Sequence, residues 1–250
     1  MNYETKIKNM TTEYLSEPIG IDAEKVHFGW NMTSNVIGEK QTAYQIKVFS
    51  EDGNMVWDSG KTESDKSVGI LCPTELQEAT VYNWDVTVWN EVGDTFKNTS
   101  TFETGVTSSE EWKSAEFIRM NLSRSAPVFR TEKKLQSGNI RKARLYITAL
   151  GAYQAYVNGN QVGEWKNGEI VYNHMNPGYG NGNVSLGYQT YDVTNFLSDY
   201  DSIAVAVQAG TGWYNGMGTV GATQPAIKAL VVITYEDGTE QIIKTNITDW

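Results

Sequence analysis

Hydrophobic and polar residues alternate along most of this chain, and a period of two is the pattern of half-buried β-strands. The clearest example is the stretch 143–163, ARLYITALGAYQAYVNGNQVG, which predicts two paired strands separated by Gly151. Asn158 and Gly159 follow the second strand and predict a tight hairpin turn, because both residues tolerate positive φ. We expect the second half of the chain to be assembled around these two strands.

The first half carries short alternating segments of the same kind. The most regular is VYNWDVTVW, residues 81–89, in which aromatic or aliphatic residues alternate with polar ones. Turn signals separate these segments, and no helix-period segment of any length interrupts them. This combination predicts an immunoglobulin-like or fibronectin-type-III-like sandwich of about 100 residues. Residues 1–20 are mostly polar, and we expect them to be loosely held.

A predicted boundary near residues 105–112 divides the chain. The polar triplet at 107–109 precedes two glutamates and offers an N-cap for one short helical turn. We therefore predict two modules, residues 1–106 and residues 107–250.

The second module shows strand patterns and no tandem repeat. In YQTYDVTNFL, residues 188–197, a strand should end in a helical turn capped by Asp192 or Thr194. Aliphatic residues at 203–207 alternate with alanines, which predicts a strand buried on both faces. A final hairpin is predicted for ALVVITYEDGTEQIIKT, residues 229–245. These elements together predict an antiparallel jelly roll.

Charge and composition narrow the classes of partner. The formal net charge is −10, whereas nucleic acids and anionic membranes require a basic face, so we expect neither as a partner. Nothing near Met1 resembles a signal peptide, and no apolar run is long enough to cross a bilayer. Cys72 is the single cysteine, so no intrachain disulfide forms and the compartment stays open, cytoplasmic or, after removal of a leader, periplasmic or secreted.

Two glycine-rich segments offer candidate ligand contacts. Trp213, Tyr214 and Asn215 lie between glycines just after a predicted strand, where an aromatic platform and an amide suit a sugar ring and its hydroxyls. Tyr179 and Asn181, in the loop 173–187, form a second candidate. The structural alternative is that the tryptophan closes one end of the jelly roll or packs against another domain, and that the loop residues only make turns.

Several segments, in their order and spacing, resemble the N-terminal half of bacterial alpha-L-rhamnosidases of glycoside hydrolase family 78, which are large inverting enzymes. Most of the chain takes part in the resemblance. The matching segments are EYLSEPIGID (13–22), VHFGW (26–30), QTAYQI (41–46), WDSGK (57–61), FETG (102–105), ARLYITALGAY (143–153), YVNGNQVG (156–163), YQTYDVT (188–194) and GTGWYNG (210–216).

The resemblance implies a fibronectin-like module followed by a galactose-binding-like jelly roll of the kind that binds carbohydrate in such enzymes. It also implies a downstream (α/α)6 catalytic domain that hydrolyses terminal alpha-L-rhamnosyl residues. The sequence ends at Trp250 in a stretch that resembles a strand or bend of the jelly roll, which leaves open whether the second module is complete. Rhamnosides and the catalytic domain are therefore the expected partners.

One segment departs from the family pattern. Relatives usually continue their Pro-Gly-Trp with Thr-Asp-Tyr and a basic residue, but here Pro177 and Gly178 are followed by Tyr179, and Val184 stands where the base would fall. If this loop contacts ligand in the relatives, its chemistry here is altered, so we do not assume the same sugar.

Catalysis and metal binding find little support in the sequence. Inverting hydrolysis needs two carboxyl groups roughly 6.5–9.5 Å apart, and no motif places two of the thirty acids in one cleft, so we expect this chain alone not to be an enzyme. His27 and His174 lie in different modules, which argues against zinc. Some related jelly rolls hold calcium, but no ligand for it is assigned here, and we expect no other cofactor.

The sequence supports three functions. The first is a set of non-catalytic N-terminal β modules that support the catalytic domain of a rhamnosidase and bind rhamnose-containing glycans. The second is a free-standing carbohydrate-binding protein, which saturable binding of rhamnose or rhamnogalacturonan by this chain alone would favour. The third is a structural interaction module without ligand, in which Trp213 becomes protected when a downstream domain is supplied.

Overall fold

The computed structural model describes residues 4–120, 126–166, 169–171, 186–211 and 224–250. The chain divides into two compact units, residues 1–107 and residues 108–250. Regular structure in the described ranges is almost entirely β, with one short α-helix and one 3₁₀ turn. The predicted all-β class, an immunoglobulin-like sandwich followed by a jelly roll, is confirmed. No described helix has the length and apolar character needed to span a membrane.

The N-terminal unit is a sandwich of two sheets. One sheet has the order β1-β3-β7, and the other has the order β2-β9-β8-β4-β5 with β6 also paired to β4. The strands are β1 (Thr5–Thr12), β2 (Ile19–Ile21), β3 (His27–Ser34), β4 (Gln41–Ser50), β5 (Met55–Asp58), β6 (Thr62–Glu63), β7 (Ile70–Leu71), β8 (Val81–Asn90) and β9 (Thr95–Thr104).

Aromatic side chains fill the core of this sandwich. Phe28 of β3 lies 4.6 Å from the ring of Trp84 on β8, measured between centroids, and both are about 1% exposed. Trp30 is equally buried, and its indole N–H donates to Oε1 of Gln41 at 3.0 Å. The Trp30 indole is thus buried with its polar atom satisfied, whereas the buried Nε1 of Trp84 has no hydrogen-bond partner among the described residues. Cys72 is buried in the same core.

The expectation that residues 1–20 are loosely held is wrong for the described residues of β1. β1 pairs antiparallel with β3, and Ile7 and Met10 are buried in the core of the sandwich. The register shifts between Lys8 and Thr11, and Asn9 between them has a φ of 49°. This irregularity places two residues between the buried side chains instead of one, and so it hides the period of two on which strand prediction depends.

The C-terminal unit is a second sandwich. One sheet, which we call the five-stranded sheet, has the order β10-β19-β12-β17 with β20 also paired to β19, and the other has the order β11-β18-β13-β14. The elements are α1 (Glu110–Ser114), β10 (Ile118–Arg119), β11 (Val128–Lys134), β12 (Ile140–Leu150), β13 (Ala152–Val157), β14 (Asn160–Gln161), β15 (Glu164–Lys166), β16 (Glu169–Val171), β17 (Gln189–Asp192), a 3₁₀ turn (Thr194–Phe196), β18 (Ser202–Gly210), β19 (Ala226–Tyr235) and β20 (Glu240–Lys244).

Aliphatic residues from both sheets meet in the core of this unit. Leu145 and Ile147 of β12 face Val205 and Val207 of β18 within one cluster, and all four are fully buried. Each such side chain contributes roughly 1.5–3 kcal/mol through burial. The helical turn predicted after residues 107–109 is confirmed as α1, with the Ser109 hydroxyl accepting from the backbone N–H of Trp112.

The predicted pairing of the two central strands is wrong. β12 and β13 lie in different sheets, where β12 pairs with β17 and β19, and β13 pairs with β14 and β18. Gly151 joins them with a φ of 119°, a backbone conformation that turns the chain from one sheet to the other. The predicted hairpin at Asn158 and Gly159 is confirmed, since Val157 pairs with Asn160 across it.

Two smaller predictions need correction. Ala204 and Ala206 are only half-buried, so β18 is buried on one face rather than two. The 3₁₀ turn after β17 has Val193 as its N-cap, and Asp192 acts one residue earlier, where its carboxylate accepts from the N–H and hydroxyl of Thr194 at 3.0 and 2.6 Å. The final hairpin, formed by β19 and β20, is confirmed.

Candidate functional site

The residues proposed from sequence as ligand contacts lie outside the described part of the chain. Trp213, Tyr214 and Asn215 follow the end of β18, and Tyr179 and Asn181 lie between β16 and β17. The predicted contacts therefore stay predictions. The described residues add two surfaces of the C-terminal unit that sequence reasoning missed.

The end of β18 that precedes Trp213 carries a polar network among the core side chains. The hydroxyl of Tyr153 donates to Oε1 of Gln189 at 2.6 Å and lies 3.4 Å from the hydroxyl of Tyr191. Burial is the main cause that raises the pKa of Tyr153. The network fixes β13 against β17 at this end of the sandwich.

The first surface lies on the face of the five-stranded sheet that points away from the core. Lys228 of β19 places its ammonium 4.7 Å from the ring centre of Trp112 and 5.8 Å from that of Phe117. The Trp112 ring lies 4.9 Å from that of Tyr188, which lies 6.1 Å from that of Tyr146. We call these five residues the aromatic shelf.

Strand register explains why the shelf forms. Tyr146 lies between the core residues Leu145 and Ile147, so its side chain points to the opposite face, where it is only 1% exposed. Thr148, two residues after Tyr146, points to the same face and pairs with Lys228, so the lysine also lies on this face, on the neighbouring strand. α1 supplies Trp112, and its position is secured by Lys244 of β20, whose ammonium donates to the hydroxyl of Ser114 at 2.8 Å.

Electrostatics distinguish Lys228 from the other cations of this face. No carboxylate in the described ranges forms an ion pair with it, and desolvation lowers its pKa. By contrast, Nη1 of the buried Arg144 lies 2.9 Å from Oδ1 of Asp192. A lysine held over aromatic rings without a counter-ion is stabilised by cation–π attraction. This arrangement suits contact with a sugar or with another protein surface.

A sequence signal for the shelf existed at Tyr146. It is a large aromatic residue at a position that the alternation assigns to the polar face, and exposed sheet faces usually carry polar side chains. Lys228 and Trp112 gave no such signal, because their approach depends on pairing between segments far apart in sequence.

The second surface, which we call the polar cleft, lies at the end of the C-terminal sandwich where β18 begins. It encloses about 680 Å³ between the β11–β12 loop and the segment that runs from the 3₁₀ turn to β18. The lining residues are Lys134, Leu135, Gln136, Ser137, Gly138, Asn139, Ile140, Thr194, Asn195, Leu197, Ser198, Tyr200 and Asp201.

Hydrogen bonds hold both walls of the polar cleft in place. On one wall, the N–H of Gln136 donates to the hydroxyl of Tyr235 and to Oε1 of Gln241, each at 3.0 Å. On the other, Nδ2 of Asn158 donates to the carbonyls of Phe196 and Ser202 at 3.1 and 3.2 Å. We expected Asn158 to serve only in its turn, but its side chain also fixes this wall.

Metal binding finds no ligand set in the described ranges. No group of three or more His, Cys, Asp or Glu side chains is placed to hold a metal ion there. His27 is instead paired within the N-terminal unit, where Nδ1 lies 2.8 Å from Oε1 of Glu13. Calcium binding therefore has no assigned ligand among these residues.

Two family models match the chain. The model described as the Rha78A-like, N-terminal immunoglobulin domain matches residues 7–108. The model described as the alpha-L-rhamnosidase N-terminal domain matches residues 138–250. Each match falls on one of the two sandwiches.

Known relatives and solved structures agree with these models. An alpha-L-rhamnosidase from Formosa agariphila is 26% identical to this chain. Their alignment is 268 residues long, gaps included, and covers 90% of this chain. The structure of the Streptomyces avermitilis alpha-L-rhamnosidase complexed with L-rhamnose matches with a TM-score of 0.82 at 21% identity, over 99% of this chain and 41% of that one. An alpha-L-rhamnosidase from Aspergillus terreus matches with a TM-score of 0.78 at 26% identity, over 97% of this chain and 29% of that one.

The chain covers only a small part of each relative. The chain spans 27% of the length of the Formosa relative and 26% of a second alpha-L-rhamnosidase, from an Alteromonas species.

Proposed function

The chain belongs to the alpha-L-rhamnosidase family and matches the N-terminal region of its members. We propose that it forms the non-catalytic β modules of a rhamnosidase-like glycoside hydrolase. In this proposal the modules support a downstream (α/α)6 catalytic domain and hold rhamnose-containing glycans near it. The parent reaction is hydrolysis of terminal alpha-L-rhamnosyl residues with inversion at the anomeric carbon. Trp213, Tyr214, Asn215, Tyr179 and Asn181 remain the proposed sugar contacts.

The aromatic shelf carries the supporting role. Phe117 is 42% exposed and Trp112 is half-buried, although both stand over a sheet face whose Tyr146 and Leu230 are fully buried. When another surface covers these partly exposed apolar side chains, the loss of their contact with water is favourable. A polypeptide that extends well beyond these modules in the relatives is the natural source of that surface.

The first test is the open reading frame beyond Trp250. A helical extension of several hundred residues agrees with the proposal, and a stop codon directly after Trp250 contradicts it.

The second test compares Trp112→Ala with Trp89→Ala, each made in the 250-residue chain and in the extended enzyme. Trp89 is a matched control because Lys61 lies over its ring at 4.9 Å in the N-terminal unit. In the chain alone we expect each change to cost roughly 1–3 kcal/mol in the free energy of unfolding, from lost ring contacts and cation–π attraction. In the extended enzyme, Trp112→Ala should cost more than Trp89→Ala and should lower the rate of rhamnose release from an aryl rhamnoside.

The readouts are chemical denaturation and initial rates. Equal effects of the two substitutions in the extended enzyme would show that the shelf supports only its own unit.

A further inference from the structure

We propose that the polar cleft is a saccharide-binding site of the C-terminal unit, separate from the Trp213 segment. The inference rests on the proposed function, because it assigns a place to the glycan contact that the function requires. It is carried by the chemistry of the lining side chains, by the way the walls are held, and by the position of the cleft on β18.

Unpaired hydrogen-bonding groups line the polar cleft. Five solvent-exposed side chains on its two walls make no hydrogen bond to any residue in the described ranges and are open to a ligand, namely Gln136, Ser137, Asn139, Asn195 and Asp201. They combine amides, a hydroxyl and a carboxylate, so the cleft offers donors and acceptors together. A polyhydroxylated ligand matches this set because each sugar hydroxyl both donates and accepts.

Tyr200 supplies the aromatic component. It lines the cleft and is 51% exposed, although its backbone is fixed by a hydrogen bond from its N–H to the carbonyl of Leu197 at 3.2 Å. Leu197 in turn is 1% exposed and anchors the segment in the core. An exposed ring on an anchored backbone can stack on the C–H face of a sugar without ordering a flexible loop first.

The walls are held before any ligand arrives. The N–H of Leu135 on one wall donates to the carbonyl of Asp201 on the other at 2.9 Å, which joins the two directly. Nε2 of Gln241 donates to the carbonyl of Lys134 at 2.8 Å and secures the first wall from behind. Binding therefore needs little rearrangement, and less free energy is lost to ordering.

Charge and size indicate the ligand class. Lys134 and Asp201 are the charged residues of the lining and carry opposite signs, so the cleft attracts neither phosphate nor a cation strongly. Its volume of about 680 Å³ lies within the range of roughly 300–1,000 Å³ that is typical of ligand pockets. A polar lining disfavours apolar small molecules. A neutral mono- or oligosaccharide is the class that fits.

The cleft lies beside the start of β18, whereas Trp213 follows the end of that strand in the sequence. Ser202 begins β18 beside the cleft, and Gly210 ends it just before the segment that contains Trp213.

The experiment titrates the 250-residue chain with L-rhamnose and with neutral rhamnose-containing oligosaccharides, and measures binding by calorimetry. The variants are Tyr200→Ala and Asp201→Asn in the cleft, and Trp213→Ala, at a residue that follows the end of β18 in the sequence. Asp199→Asn and Tyr14→Ala are matched controls, since Asp199 is exposed but outside the lining and Tyr14 is an exposed tyrosine of the N-terminal unit. Thermal unfolding of each variant verifies that the fold is retained.

We expect each cleft substitution to raise the Kd about tenfold or more, the scale of one lost ring contact or charge-assisted hydrogen bond. The two controls should stay within about twofold of the parent chain. Saturable binding that survives Tyr200→Ala and Asp201→Asn but is lost in Trp213→Ala overturns the inference and leaves glycan binding intact. Absence of binding to every probe overturns the glycan-binding part of the proposed function as well.

Discussion

Asn158 shows how much one side chain can contribute beyond its local turn. Its φ of 47° meets the need of the β13–β14 hairpin, which is the role that the sequence predicts. Its amide also donates to the carbonyls of Phe196 and Ser202, and its Oδ1 accepts from the N–H of Ala204 at 2.7 Å. The same residue thus closes a hairpin and ties it to the start of β18 and to the 3₁₀ turn.

We expect Asn158→Gly to lower the free energy of unfolding of the C-terminal unit by roughly 2–4 kcal/mol, through three lost hydrogen bonds of about 0.5–1.5 kcal/mol each. Glycine retains the left-handed backbone, so the loss reports on the side chain alone. Urea denaturation measures it. Asn160→Gly is the control, because the Asn160 side chain is exposed and makes one hydrogen bond of 3.3 Å within the hairpin. Equal losses in the two variants would contradict the role assigned to Asn158.

Local chemistry explains which residues could be predicted from sequence. The turn at Asn158 and Gly159 and the helical turn after residues 107–109 were predictable, because each depends on neighbours within a few positions. The approach of Lys228 to Trp112 was not, since it requires the register of β19 and the position of α1. The polar cleft was missed for the same reason, because its two walls are separated by more than fifty residues.

At the level of elements, Gly151 decides how the C-terminal sandwich is built. Alternation identified β12 and β13 correctly as strands but gave no information about their partners, and adjacency in sequence favoured pairing between them. The structure separates them because a Cβ at Gly151 would lie 2.2 Å from the carbonyl oxygen of Gly210, with φ at 119°. Only glycine permits so close a crossing from one sheet to the other.

We therefore expect Gly151→Ala to destabilise the C-terminal unit by roughly 3 kcal/mol or more, since the clash adds to the cost of a positive φ. Gly159→Ala is the matched control, because Gly159 has a φ of 80° but no atom within 4 Å of the position of its Cβ. It should cost only about 1–2 kcal/mol. Chemical denaturation of both variants separates strain from clash, and an equal cost for the two would show that the close approach to Gly210 is unimportant.

The N-terminal unit shows a second reason why hydrophobic alternation can fail to predict a strand. β1 was not predicted because the bulge at Asn9 breaks the period of two and because its partner, β3, lies some twenty residues further on. Its buried Ile7 and Met10 belong to the same core as Phe28 and Trp84. The segment 13–22, which follows β1, carries part of the family resemblance.

At the level of the whole molecule, carboxylates that hold loops and strand ends occur in both units. In the N-terminal unit, Oδ1 of Asp58 accepts from Nε2 of Gln45 and from the N–H of Gly60, each at 2.8 Å, and the hydrogen bond from Gln45 is the main cause that lowers its pKa. In the C-terminal unit, hydrogen bonds from Thr239 lower the pKa of Asp237, and one from Lys133 lowers that of Asp249. Acid should therefore weaken both units.

The direction of this change in stability with pH follows from proton uptake. Each of these carboxyl groups has a folded-state pKa below the ordinary Asp value of 3.8, so the unfolded chain binds protons first as the pH falls. Their contribution to stability is present above about pH 4 and is lost as the pH drops through the folded-state values. We expect the midpoint of thermal unfolding, followed by circular dichroism, to be nearly constant from pH 7 to pH 5 and to fall from pH 4 to pH 3.

Asp237→Asn should flatten that fall for the C-terminal unit only. Asp52→Asn is the control, because Asp52 lies at an exposed turn of the other unit. A midpoint that stays constant down to pH 3 would contradict this assignment of the acid-sensitive groups.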